Sequence, residues 1–172
     1  MGPRSAGHFL SQFVECRYNR IRNTLVRGRA EADEVQTQVE FRSDRFPAYD
    51  GEEQQVNPGR WGKRLAEFLR DNLRTEGLEI DEPFAEDWGW VVPVVNKSFR
   101  LWIGCGNYQE YPDGFLCFIE PHTPVVRKVL QKVDTQERVA ALQSAIDKIL
   151  TEDAGIRAKR WWNYDEFNNP AR

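Results

Sequence analysis

Three short apolar segments follow one another between residues 88 and 120, and turn-forming residues separate them. The segments are 88–95, 99–104 and 115–120, lengths that are typical of β-strands bounded by Asn, Pro and Gly. The Asn96-Lys97 dipeptide predicts a tight hairpin between the first two segments, and the 112–114 tripeptide Pro-Asp-Gly predicts a turn before the third. Because connections this short join antiparallel neighbours, the chain is predicted to contain an antiparallel meander.

Other segments, before and after the meander, are candidates for additional strands of the sheet. Residues 34–42 alternate apolar and polar side chains, which predicts a strand with one solvated face. Residues 78–81 and 156–162 are candidates for short additional strands. Pro93 interrupts the first segment of the meander and donates no ladder hydrogen bond, so it indicates an edge strand or a bulge.

Two amphipathic helices are predicted outside the meander. The first begins at the Asn57-Pro58 capping pair and ends at Gly77, and the second begins after Asp134, where Glu137 completes a capping box. The apolar stripe of the first helix consists of Trp61, Leu65, Phe68, Leu69 and Leu73, and that of the second consists of Val139, Leu142, Ile146, Ile149 and Leu150. Residues 123–130 are compatible with either a short helix or an extended segment.

These elements predict an α+β fold. The expected architecture is a two-layer sandwich, with a mainly antiparallel sheet of four to five strands and two main amphipathic helices packed on it. Residues 30–162 form the single domain, residues 1–29 are a disordered or flexible basic arm that folding does not require, and residues 163–172 are a flexible tail.

The distribution of charge bears on possible partners. The net charge is −3, but residues 1–29 hold six arginines against one glutamate, which leaves −8 for the remainder. An acidic domain repels phosphates, so a nucleic-acid partner is not favoured. The basic segment is also compatible with a mitochondrial transit peptide or with an arm that contacts a partner.

Localisation follows from what the sequence does not contain. It has no apolar run long enough to span a membrane, no secretory signal, and three cysteines without a disulfide pattern. We therefore expect a cytoplasmic protein with no membrane association, no metal and no cofactor. The oligomeric state does not follow from the sequence.

One cysteine is a weak candidate nucleophile. Cys105 lies between two glycines, which would allow a substrate to approach closely. The base that could serve it is His122, just after the following strand, and Glu120 and His122 could contribute two ligands to a metal site. A purely structural role, with a small buried thiol and a surface histidine, is favoured, so no catalytic residue is assigned.

The tryptophans are the stronger candidates for a binding surface. Trp88 and Trp90 are two residues apart, so we expect both on one face of their strand, and Trp102 on the next strand should lie near them. Tryptophan is frequent at binding hot spots. The alternative is that all three rings form the core beneath the helices.

Basic residues near the first helix form a further candidate site. Arg60, Lys63 and Arg64 lie where a helix N-terminus could bind an anion, although the spacing of a phosphate-binding loop is absent. The neighbouring carboxylates Glu86 and Asp87 are more typical of a structural turn than of a metal site, because adjacent strand residues point to opposite faces.

The favoured functional hypothesis is a non-enzymatic protein-binding module, of the kind that immunity proteins or regulatory adaptors represent, using an aromatic sheet face. The alternatives are a small cysteine- or metal-dependent hydrolase and a nucleotide or nucleic-acid binder.

Overall fold

A computed structural model describes residues 35–108, 111–128 and 131–168, so the predictions for residues 1–29 lie outside the described residues. Eight strands and three helices are present in this part of the chain. The strands are β1 (Gln38–Arg42), β2 (Phe84–Glu86), β3 (Gly89–Val94), β4 (Leu101–Asn107), β5 (Gly114–Glu120), β6 (Val125–Lys128), β7 (Gln131–Asp134) and β8 (Arg157–Trp162). The helices are α1 (Lys63–Thr75), α2 (Gln136–Glu152) and the short α3 (Tyr164–Asn168).

Six of the strands form one antiparallel sheet in the order β2-β3-β4-β5-β1-β8. The remaining pair, β6 and β7, forms a separate two-stranded hairpin, which resolves residues 123–130 in favour of an extended segment as far as they are described. The predicted α+β class is confirmed, and the sheet has one strand more than the four to five expected.

Helices α1 and α2 cover one face of the sheet. Their stripes are buried against alternate residues of the strands, as the helical periodicity predicts. The largest fully buried side chains here include Leu65, Leu69, Leu73, Leu142 and Ile146 from the helices, and Phe41, Ile103, Phe115 and Ile119 from the sheet. In the described part of the chain, no helix is both long and apolar enough to cross a membrane.

The opposite face of the sheet carries a second apolar cluster. Its buried members are Trp88, Val91, Leu116, Phe118, Trp162 and Phe167, and Trp102 packs against them. The expectation of a solvated face along β1 is therefore wrong for Gln38, which is only 1% exposed, because it lies between Phe118 of β5 and Trp162 of β8.

Helix α3 also corrects the predicted domain boundary. The sequence places residues 163–172 in a flexible tail, whereas Tyr164–Asn168 form a helical turn and Phe167 is buried in the second cluster. The ring of Tyr164 stacks on that of His122 with a centroid distance of 3.6 Å. The folded domain therefore extends at least to Asn168.

Pro93 occupies a position where its missing N–H is harmless. Strand β3 is interior, but its partner β2 begins at Phe84, which pairs with Val91. Beyond that pair, the carbonyl of Pro93 accepts a hydrogen bond from the backbone N–H of Asp81 at 3.1 Å. The expectation of an edge strand is therefore wrong, and Pro93 is tolerated because the ladder between β2 and β3 is interrupted beside it, where only Ile80 makes an isolated bridge.

Candidate functional site

Residues 79–87 form the open margin of the sheet next to β3. Ile80 makes an isolated bridge to Val94, and β2 then pairs with β3 through a two-residue turn. Five of these nine residues are exposed carboxylates, namely Glu79, Asp81, Glu82, Glu86 and Asp87. We call these five side chains, together with the exposed Phe84, the acidic edge.

The acidic edge is only partly neutralised. Glu82 accepts hydrogen bonds from Arg70 at 2.7 Å and from Arg74 at 3.0 Å, and the two arginines hold the pKa of its carboxyl below its ordinary value. Because these ion pairs are exposed, each contributes little to stability. Among the described residues, no ion pair involves Glu79, Asp81, Glu86 or Asp87.

An aromatic cluster adjoins the acidic edge on the face opposite the helices. The rings of Trp88, Trp102 and Phe118 lie within 5.1–6.1 Å of one another, measured between centroids. The ring of Phe118 covers Gly104, where any Cβ atom would overlap it. A glycine in the middle of β4 therefore lets the aromatic layer lie directly on the sheet.

The outer members of this layer reach solvent. Phe84 pairs with Val91, and Pro93 pairs with Trp102, so all four side chains share one face. Phe84 is 39% exposed, and Pro93 and Trp102 are partly exposed, whereas Val91 is buried. We call the surface made by Phe84, Pro93 and Trp102 the apolar patch.

The prediction that Trp88, Trp90 and Trp102 form one cluster is correct for two of the three. Trp88 belongs to the turn before β3, and Gly89, at φ 156°, redirects the backbone between the two tryptophans. Trp88 therefore packs beside Trp102, whereas Trp90 is buried on the helix side of the sheet. Side chains two residues apart lie on the same face only when both residues belong to the strand, and Trp88 precedes β3.

The expected hairpin at Asn96-Lys97 is looser than a two-residue turn. Val94 pairs with Leu101, so residues 95–100 form the connection, in which the Asn96 side chain donates a hydrogen bond to the carbonyl of Phe99. This longer loop shifts the register by two residues and places Trp102 opposite Pro93, whereas a two-residue turn would have placed it opposite Val91.

The N-terminus of α1 is already occupied by a carboxylate of the chain itself. One Glu52 oxygen accepts hydrogen bonds from the backbone N–H groups of Gly62 and Lys63, both at 2.8 Å, and the other oxygen accepts one from Tyr49 at 2.9 Å. Glu52 is 1% exposed. The anion site predicted there is therefore filled by Glu52, since a carboxylate at a helix N-terminus is favoured as strongly as an external anion.

The three basic residues predicted to bind an anion have separate contacts. The Arg64 guanidinium lies over the Tyr49 ring at 3.7 Å, and the Lys63 ammonium lies over the Trp90 ring at 5.0 Å. Arg60 belongs to a loop that Asn107 fastens to the end of β4, and burial lowers the pKa of its guanidinium. The structure uses Lys63 and Arg64 to pack on aromatic rings.

The residues of the hydrolase hypothesis do not assemble. Cys105 is fully buried on the helix side of the sheet, where it faces Cys117 on β5. Glu120 pairs with Trp102 and so lies on the other face, and its oxygens are 2.9 and 3.1 Å from Nδ1 of His122. Within the described residues, no three His, Cys, Asp or Glu side chains are grouped to hold a metal ion.

Cys105 should behave as an inert thiol. Burial, with a smaller contribution from the hydrogen bond to Cys117, raises the pKa of its thiol well above the ordinary value, so almost no thiolate forms at neutral pH. Alkylation with iodoacetamide, followed by peptide mass spectrometry, should label Cys105 far more slowly in the native chain than in denaturant. Rapid native labelling at pH 6 that His122→Ala abolishes would contradict this.

Sequence reasoning missed Glu52 and the acidic edge. The loop position of Glu52 resembles that of any solvated acidic residue, and its hydrogen bonds reach residues ten positions away. The acidic edge could have been recognised, because five carboxylates among nine residues is a visible local excess of charge.

No protein-family model, curated protein or solved structure matches this chain. Function is therefore inferred from the geometry and charge of the described residues.

Proposed function

We propose that the chain is a non-enzymatic protein-binding module that contacts a basic protein partner through the apolar patch and the acidic edge. The observation that carries this proposal is that Phe84, 39% exposed, stands among five exposed carboxylates at the open margin of the sheet. Both an immunity-type inhibitor of a basic protein and a regulatory adaptor would use such a surface.

The apolar patch supports a protein partner because it combines exposed apolar side chains with a rigid base. Trp102 is held by ring contacts to Trp88 and Phe118, and it is partly exposed beside Pro93. Because the ring is already fixed, little side-chain entropy is lost when a partner covers it, and more of the free energy of apolar burial contributes to affinity.

Charge supports a basic partner. Outside residues 1–29 the net charge is −8, and the exposed carboxylates of the acidic edge concentrate negative potential beside the apolar patch. Complementary charge at the rim of an interface mainly accelerates association and selects against acidic competitors. Pairing of a partner strand with β2 is not part of the proposal, because a three-residue edge strand that follows Pro83 offers few free backbone groups.

The test is a binding measurement on a purified pair. A partner captured from lysate is identified by mass spectrometry, purified and titrated by calorimetry. Phe84→Ser should weaken binding about 30-fold or more, as for a hot-spot aromatic residue. Asp81→Lys should slow association, and the affinity of the wild type should fall as salt is raised.

Val125→Ser is the matched control for Phe84→Ser, because Val125 is similarly exposed, at 45% against 39%, but lies in the separate β6–β7 hairpin. It should leave the affinity unchanged, and thermal melts should show that all variants fold. Equal affinities of Phe84→Ser and wild type, or affinity that does not change with salt, would reject the proposed surface.

A further inference from the structure

A cavity of about 460 Å³ lies between α1 and the segment that leads into β2, on the helix side of the sheet. This volume lies within the range of sites that bind small molecules. Its walls include Lys63 and Glu67 from α1, Phe84 and Ala85 from β2, and Trp90 from β3. Arg70 and Glu82, which form an ion pair with each other, also line it.

Two opposite charges of α1 are held apart inside this cavity. Lys63 and Glu67 are one helical turn apart, where such pairs commonly form an ion pair, but they make none here. The Lys63 ammonium instead lies over the rings of Trp90 and Tyr49, at 5.0 and 5.6 Å. The Glu67 carboxylate accepts a hydrogen bond of 2.7 Å from the Tyr49 hydroxyl, which raises the pKa of that hydroxyl.

The remaining walls are Gln55 and four apolar residues. Phe84 stands at the margin, Ala85 pairs with Trp90 across the β2–β3 ladder, and Pro83 precedes them. Trp90 is 4% exposed, and its indole N–H is buried with no acceptor among the described residues.

We propose that this cavity binds a free α-amino acid with an apolar side chain. The ligand carboxylate pairs with Lys63, its ammonium group pairs with Glu67, and its side chain lies against Trp90 and Ala85, which share the helix side of the sheet. A dipolar ligand fits better than a simple anion because the cavity presents both charges, and the adjacent helix N-terminus is filled by Glu52. This site is independent of the protein-binding surface, apart from Phe84 and Glu82, which the two share.

The test is a calorimetric titration of the full chain with L-phenylalanine in the absence of any protein partner. We expect one site with a dissociation constant of about 1 mM or tighter, in keeping with a ligand of this size. Two analogues separate the charges: 3-phenylpropionate lacks the ammonium group, and L-phenylalaninamide lacks the carboxylate. Each should bind about tenfold more weakly or worse, because each leaves one charged wall group without its partner.

Three variants assign the binding to the cavity. Lys63→Gln should weaken L-phenylalanine binding about tenfold while leaving the affinity for L-phenylalaninamide unchanged. Glu67→Gln should also weaken L-phenylalanine binding about tenfold, but it should leave the affinity for 3-phenylpropionate unchanged. Ala85→Phe fills the cavity and should abolish binding of all three compounds. Thermal melts establish whether each variant folds. If Ala85→Phe does not fold, the two glutamine variants still decide the question.

The proposal is overturned if L-phenylalanine and L-leucine both fail to bind at about 10 mM, roughly tenfold above the weakest affinity expected for such ligands. It is also overturned if 3-phenylpropionate binds as tightly as L-phenylalanine, or if a folded Ala85→Phe variant retains binding. None of these results bears on the protein partner, whose affinity is measured without amino acid present.

Discussion

Replacing Glu52 by alanine should lower the free energy of unfolding by about 3–5 kcal/mol. The buried carboxylate accepts three backbone hydrogen bonds, two of them at the start of α1, and its removal leaves these donors without an acceptor. A buried donor that loses its partner costs about 1–3 kcal/mol, and the helix also loses a negative charge at its N-terminus. Urea denaturation followed by circular dichroism measures the difference.

Glu53→Ala is the matched control, because Glu53 is the next residue in the same 3₁₀ turn and is exposed. It should change stability by no more than about 0.5 kcal/mol. Glu52→Gln retains one acceptor oxygen and should fall between the two. Equal stability of Glu52→Ala and Glu53→Ala would mean that the N-terminus of α1 does not depend on this carboxylate.

The substitution Gly104→Ala should cost about 2–4 kcal/mol, although it adds a single methyl group. The new Cβ would overlap the Phe118 ring, which is packed between Trp88 and Trp102 and has little room to move. Gly106→Ala is the control on the same face of β4. Its nearest neighbour would be the carbonyl oxygen of Trp88 at 3.4 Å, an ordinary contact, so its cost should be clearly smaller.

A double-mutant cycle identifies the cause of that loss. In a Phe118→Ala background the obstructing ring is absent, so Gly104→Ala should cost little, and the two single effects should not add. Additive effects within about 0.5 kcal/mol would show that the alanine is disfavoured by the backbone of β4 and not by the aromatic layer.

The parts of the fold that could be predicted are those with local periodicity. The stripes of α1 and α2 and the strands of the meander depend on side chains three to four, or two, residues apart, and the chain order alone makes them neighbours. Strand β8, at Arg157–Trp162, was likewise a candidate strand from the sequence.

The start of α1 could not be predicted because its cap is not local. Asn57 and Pro58 suggest a helix start, but they form a turn in which the N–H of Arg60 donates to the carbonyl of Asn57. The helix begins at Lys63 instead, where Glu52 supplies the acceptor from across the loop. A capping rule that considers only adjacent residues cannot recognise this arrangement.

The candidate site was predicted only in part, for a related reason. The pairing of Trp88 with Trp102 follows from an aromatic-rich hairpin, but the separation of Trp88 from Trp90 depends on the conformation of one turn. The cavity beside Lys63 joins α1 to an edge strand about twenty residues later, so it exists only after tertiary packing.

The position of β1 has a consequence for how the chain folds. Strand β1 comes first among the described strands, yet it lies between β5 and β8, so both of its ladders close loops much longer than those of the meander. The meander from β2 to β5 can form early from neighbouring hairpins, whereas β1 must wait for β5, and the sheet is complete only after β8 has emerged from the ribosome. Such non-local pairing makes folding slow, and it leaves the apolar side chains of β5 exposed to chaperones during synthesis.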